Sequence, residues 1–199
     1  NEQILHKNDE VLVTVDNTVR NATARHHSVT HLLHQALKDV LGEHVKQAGS
    51  MVNDSFTRFD FAHPTAMTKE ELKAVEELVN RKIIANMAVT TDVMDIDSAK
   101  ESGAVAMFGE KYGATVRVLT MGDYSKEFCG GTHVSRTGDI GSFRIIGEEA
   151  ISAGVRRVSG VAGLPAYFYA KNQESIIQNL VAKFKAPERD IIARVEKMQ

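Results

Sequence analysis

His27 and His31 stand four residues apart in a run whose apolar positions Val29, Leu32, Leu33, Ala36, Leu37, Val40 and Leu41 recur at three- and four-residue spacing. That periodicity predicts an amphipathic helix over about 24–41, closed by Gly42. On such a helix both imidazoles project from one face about one turn apart, as two ligands of one metal ion must. A second half-motif, Cys129-Gly-Gly-Thr-His133, lies on a stretch too rich in glycine for a helix. The glycines let the backbone fold tightly enough for a thiolate and an imidazole to converge on one ion. Three histidines and the chain's single cysteine make a borderline-soft donor set that suits Zn2+.

The residues leave the metal's role open. Position 28 is Ser where a His-Glu-x-x-His protease carries its glutamate base, so that chemistry is excluded. Four protein ligands fill a tetrahedral shell, the mark of structural zinc. Catalysis instead needs an exchangeable position. Cys129 reads as a ligand rather than a nucleophile because of the histidines around it. His34 lies on roughly the same stripe as His27 and His31 and reads as a satisfied core histidine. His26 points elsewhere, and His6, His44 and His63 read as surface or loop residues. No carboxylate is obviously placed as a base; Asp123 and Asp139 merely flank the loop. Cations beside flexible turns mark where phosphates would run. These are Lys111 in Phe108-Gly-Glu-Lys-Tyr112, Arg136 just after the loop, and Arg156-Arg157 after Gly154.

Around these residues the pattern predicts mixed elements. Residues 10–15 alternate like a strand and read as the end of a small barrel. Strands are expected over 44–52 and 55–61 with a turn at Asn53-Asp54. A helix follows the capping box Thr68-x-x-Glu71. Further strands are expected over 88–94, 115–121, 141–146 and 155–161, with a helical turn or two over 97–102. From Pro165 the chain turns helical, and Pro187 interrupts or restarts that helix. Strands and helices without βαβ alternation predict an α+β fold of antiparallel or mixed sheet with packed helices around the zinc site. The expected division is a barrel end over 1–22, a metal-dependent core over 23–163, and a helical segment over 164–199.

The 199 residues are 43% hydrophobic and 25% charged, which is ordinary for a globular chain and excludes a disordered one. A net charge of −2 offers no field for coating DNA or RNA, though a few placed cations suffice for phosphates. A single cysteine forbids an internal disulfide framework and fits a reducing, cytoplasmic compartment. No membrane span or leader is expected. The start without Met and a helical pattern running to the end read as part of a longer chain.

Four motifs in order, His27-Ser-Val-Thr-His31-Leu-Leu-His34, Met107-Phe-Gly-Glu-Lys-Tyr112, Cys129-Gly-Gly-Thr-His133 and Ser152-Ala-Gly-Val-Arg-Arg157, closely resemble the editing domain of bacterial alanyl-tRNA synthetase. Freestanding alanyl-tRNA editing proteins and the editing domain of threonyl-tRNA synthetase share the two metal half-motifs. The resemblance covers about Thr23 to Val161. The flanks, and the run Val45-Lys-Gln-Ala-Gly-Ser-Met-Val52, favour the synthetase. One departure is Val29, where the family's pattern has a small residue.

The resemblance implies hydrolysis of the ester joining serine or glycine to the 3′ end of alanine tRNA, with the rest of the synthetase acting in cis. It implies His27, His31, Cys129 and His133 as zinc ligands, Thr30 meeting the substrate side chain, and Gln47 at a position tied to editing. Lys111, Arg156 and Arg157 would hold the tRNA terminus. No ATP use is expected. A rival reading is a non-catalytic structural-zinc module that docks RNA; another is a freestanding deacylase.

Overall fold

The computed structural model describes residue 4, residues 6–106 and residues 112–198. Its longest helix, α1 (Asn17–Leu41), starts where the Asp16 side chain accepts hydrogen bonds from the N–H groups of Thr18 and Val19. It ends at Gly42, whose φ of 115° is open to glycine and whose N–H closes on the Lys38 carbonyl. The helix thus begins before Ala24, where the apolar stripe starts. Its early turns are exposed, and from Ala24 onward it is buried on most sides. Capping rather than hydrophobicity sets the start.

Two antiparallel sheets flank this helix. The first has the order β1 (Gln47–Val52), β2 (Thr57–Ala62), β7 (Val155–Ala162) and β6 (Phe143–Ser152). The β1–β2 turn forms at Asn53, whose Oδ1 accepts from the N–H groups of Ser55 and Phe56. The second sheet orders β3 (Val89–Asp95), β4 (Thr115–Met121) and β5 (Ser125–Phe128). Helix α2 (Lys69–Ile84) packs on α1 and carries the expected capping box, with Thr68 and Glu71 bonded both ways. Helix α3 (Ile96–Glu101) packs on β3 and β4, and α4 (Leu164–Phe184) and α5 (Ile191–Glu196) follow β7. Pro187 stands at the restart between the last two.

The main core joins α1, α2 and the first sheet through Leu32, Leu33, Leu37, Phe59, Phe61, Val75, Val79 and Phe143, all 0–1% exposed. Each such side chain contributes about 1.5–3 kcal/mol. A smaller core of Ala99, Ala104, Val116, Val118 and Phe128 sits under the second sheet. The α+β reading holds, with antiparallel sheets, packed helices and a C-terminal helix.

Two expectations are corrected. Residues 10–15 join no ladder among the described residues, and Leu12 and Val13 are 94% and 82% exposed. Alternation supplies a strand's faces but not its hydrogen-bond partner. The strand expected to end at Ile146 runs to Ser152, because bulges between Ile145 and Gly147 and between Ala150 and Ser152 carry the β7 pairing through a stretch lacking alternation. No described helix is long and apolar enough to cross a membrane.

Candidate metal centre

Helix α1 presents His27 and His31 toward the loop that leaves β5, and that loop returns Cys129 and His133. The four ligating atoms lie within 4.8 Å of one another. Cys129 Sγ is 3.4 Å from His27 Nε2 and 3.2 Å from His133 Nε2. A tetrahedron with bonds of 2.0–2.3 Å has edges of roughly 3.3–3.6 Å, so the spacing fits zinc. His31 Nε2 is buried without a hydrogen-bond partner, as an atom reserved for an ion would be. The residues therefore fit the metal that the donor set implies.

Local structure explains the convergence. A Cβ on Gly131 would stand 2.0 Å from His27 Cε1, so only glycine lets the loop lie against that ring. Arg117 on β4 donates to the Gly131 carbonyl, and its own carbonyl accepts from the Cys129 N–H. Ser28 Oγ accepts from the Val134 N–H at 3.0 Å and meets His133 Nδ1 at 3.3 Å. The serine that excluded a protease thus orients a ligand.

The residue missed from sequence is Glu127 on β5, 3% exposed. Its Oε2 accepts from His31 Nδ1, and its Oε1 from His34 Nδ1 at 2.7 Å. A carboxylate behind a ligating imidazole fixes tautomer and ring orientation. Burial opposes its ionisation, yet His31 and His34 hold the carboxyl at about 2. Burial would lower His31, but Glu127 raises it to about 9. Burial pushes the Cys129 thiol up, and the bonds from His133 and His27 outweigh it, carrying it down to about 3. At neutral pH the metal-free site therefore sets a Cys129 thiolate beside a protonated His31. Burial also depresses His133 to about 4, leaving it neutral and ready to ligate.

The other expected residues are placed as follows. Thr30 is 3% exposed and bonds to the His26 carbonyl at 2.7 Å and to the Thr57 hydroxyl at 2.6 Å. Gln47 lies in a cavity of about 370 Å³ with His34, Lys38, Val45 and Val105. Both Gln47 Oε1 and His34 Nε2 are buried there without partners. His34 is a core histidine satisfied at Nδ1, and His26 bonds the Ala22 carbonyl and the Ala162 N–H. His44 and His63 pair with each other at 2.9 Å. Arg156 forms a two-pronged pair with Glu148 at 2.6 and 2.7 Å, and Arg157 another with Asp60 at 2.7 and 2.8 Å. Both guanidinium groups are thus committed to carboxylates. Lys111 lies outside the described residues. Asp139 turns its carboxylate to the Arg136 N–H.

Residues 116–159 match the family described as threonyl and alanyl tRNA synthetase second additional domain. The chain is 52% identical over 189 residues to an alanine–tRNA ligase of Neisseria meningitidis serogroup B, covering 94% of this chain and 22% of that protein. Alanine–tRNA ligases of Desulfitobacterium hafniense and Haemophilus influenzae are also 52% identical, over 97% and 93% of the chain and 22% and 21% of theirs. The chain thus spans about a fifth of the length of the curated relatives it matches. Identity and matched domain agree: over nearly all its length the chain is similar to a part of the alanine–tRNA ligases, and it carries a match to the second additional domain of threonyl and alanyl tRNA synthetases.

Proposed function

We propose that this chain hydrolyses the ester joining serine or glycine to alanine tRNA, with zinc held by His27, His31, Cys129 and His133. The carrying observation is the shape of the site. His31 is buried, whereas His27, Cys129 and His133 are half-exposed, so the donors form a floor open on one side to an ester. An alanine pocket cannot strongly reject the smaller glycine or a serine with one added hydroxyl, so a second, hydrolytic site supplies the missing discrimination. Zinc bound there would supply Lewis acidity toward an ester carbonyl or a water of lowered pKa.

The chain's own residues do the positioning. Glu127 orients His31, Ser28 orients His133, and Gly131 admits the loop. Thr30 and Gln47 are proposed to read the amino acid, and Lys111, Arg156 and Arg157 to hold the tRNA terminus. The last two would have to exchange Glu148 and Asp60 for phosphate. The setting proposed is cytoplasmic, with the rest of a synthetase in cis, and with residues 1–22 and 164–199 flanking an editing core over 23–163.

The four protein donors favour one other reading, a structural zinc in a module that only docks RNA. Deacylation of Ser-tRNA(Ala) against Ala-tRNA(Ala), with Cys129→Ala alongside, separates the two. Editing predicts selective loss of the seryl ester by the zinc-loaded chain, and a variant that keeps its fold but not the activity. A seryl ester that survives at the protein-free rate, with a variant that unfolds on losing metal, would sink the editing reading.

A further inference from the structure

Two sets of arginines in this chain are held in different ways. Arg81, Arg144, Arg156 and Arg157 each reach a carboxylate. Arg25, Arg117 and Arg136 form no ion pair among the described residues, and each is tied to a neutral oxygen near the mouth of the metal site. Arg117 donates to the Gly131 carbonyl inside the Cys129–His133 loop. Arg136, three residues beyond that loop, holds the side chain and the carbonyl of Asn86. Arg25, two residues before His27, donates Nε to the Asp139 carbonyl at 3.0 Å. In a chain of net charge −2, these three cations without a carboxylate partner lie on the segments that border the site.

Arg25 is also held ready. Its stem runs beside Gly163, where a Cβ would stand 3.1 Å from Arg25 Cδ. With Nε anchored, the two terminal amino groups of the fork remain for a ligand. The side chain lines a cavity of about 300 Å³ with Asn21, Ala24, His133, Val134, Ser135 and Asp139. The acid in that lining, Asp139, spends Oδ2 on the Arg136 N–H at 2.9 Å. The cavity thus joins a ligating histidine to a preset guanidinium, and a guanidinium fork matches phosphate oxygens in pairs.

We infer that the cavity beside His133 is an anion subsite in which Arg25 binds a phosphodiester of the RNA 3′ end, with Arg117 and Arg136 supplying the surrounding positive field. This rests on the editing reading and assigns the terminal phosphate to Arg25, a residue that needs to break no ion pair.

The test titrates the zinc-loaded chain with uncharged tRNA(Ala), intact or trimmed of its 3′-terminal nucleotides, at several salt concentrations. KM and kcat for Ser-tRNA(Ala) are measured alongside. Arg25→Ala should weaken binding of intact tRNA about tenfold and lower the slope of log affinity against log salt by about one. It should raise KM far more than it lowers kcat, at unchanged zinc content, with partial recovery in Arg25→Lys. Arg81→Ala, at a residue paired with Glu77 on the exposed face of α2, should change none of these. Binding and slope unchanged in Arg25→Ala, or a loss equal for intact and trimmed tRNA, would overturn the subsite. A wild-type chain that binds tRNA through Arg25 but hydrolyses nothing would count against the editing reading alone.

Discussion

The two sides of the metal centre are built by opposite means. On the inner side His31, Glu127 and His34 are each less than 5% exposed and tied by charge-assisted bonds between α1 and β5. On the outer side His27, Cys129 and His133 are half-exposed, and glycine, a serine hydroxyl and arginines on neutral oxygens hold them. The inner half is costly to disturb because its charges are buried. The outer half is cheap to disturb but must stay open to work. The candidate site thus joins a buried, charge-locked side to a more accessible one.

Glu127→Ala should break this division most severely. It strands two buried imidazoles, and the expected loss is about 3–5 kcal/mol, read by chemical denaturation of the metal-free protein. A loss under 1 kcal/mol would mean that the inner half is not the structural one.

Acidity sharpens the same contrast. Glu127 is held at about 2 against an ordinary 4.5, so its contribution is present above 4.5 and lost as pH falls toward 2. His31 is raised to about 9 from 6.5, so its contribution is present below 6.5 and lost as pH climbs through 9. The metal-free protein should thus gain most from this pair between about pH 4.5 and 6.5. With zinc bound the upper limb should reverse, because His31 must shed its proton to ligate. Melting curves of both forms across pH 4–9 check the sign, and parallel curves would refute it.

The outer half should respond in metal affinity rather than in fold. Gly131→Ala drives a methyl into the His27 ring and should weaken zinc about 10–100-fold, measured against a chelating dye. Ser28→Ala removes one hydroxyl that meets both His133 and Val134 and should cost about 1 kcal/mol, with zinc weakened up to about tenfold. If Ser28→Ala proved the more damaging, ligand orientation would outweigh loop approach.

How legible each half was follows from distance along the chain. His27 and His31 share a helix face, and Cys129 and His133 share one short loop, so local spacing exposed both pairs. Glu127 was hidden because its partners lie 93 and 96 residues away, and β5 is only four residues long. The available signal was a lone acid two positions before the cysteine, flanked by Phe128. The Arg157 partner, Asp60, was hidden for the same reason, 97 residues away, whereas Glu148 lies only eight residues from Arg156 and was hidden by the bulged β6–β7 register. Sequence shows Arg156-Arg157 beside a glycine turn, but not the Glu148 and Asp60 that neutralise them across the sheet. Arg25, beside two histidines, drew no notice until Gly163 and Asp139 were brought to it. The strand at residues 10–15 failed differently, since its alternation is real but no strand pairs with it among the described residues.

The separation of the two half-motifs also orders events in time. Cys129 lies 102 residues from His27, and joining segments that far apart in a flexible chain costs about 4 kcal/mol of closure entropy. The helical pair His27 and His31 needs only α1, whereas Cys129 is placed through its N–H bond to the Arg117 carbonyl of β4, beside the β4–β5 pairing. A refolding chain therefore offers zinc a weak two-point grip early and the full shell late. Refolding with zinc present should show the thiolate–metal signal trailing the recovery of helix, and a signal that rises together with the helix would refute that order.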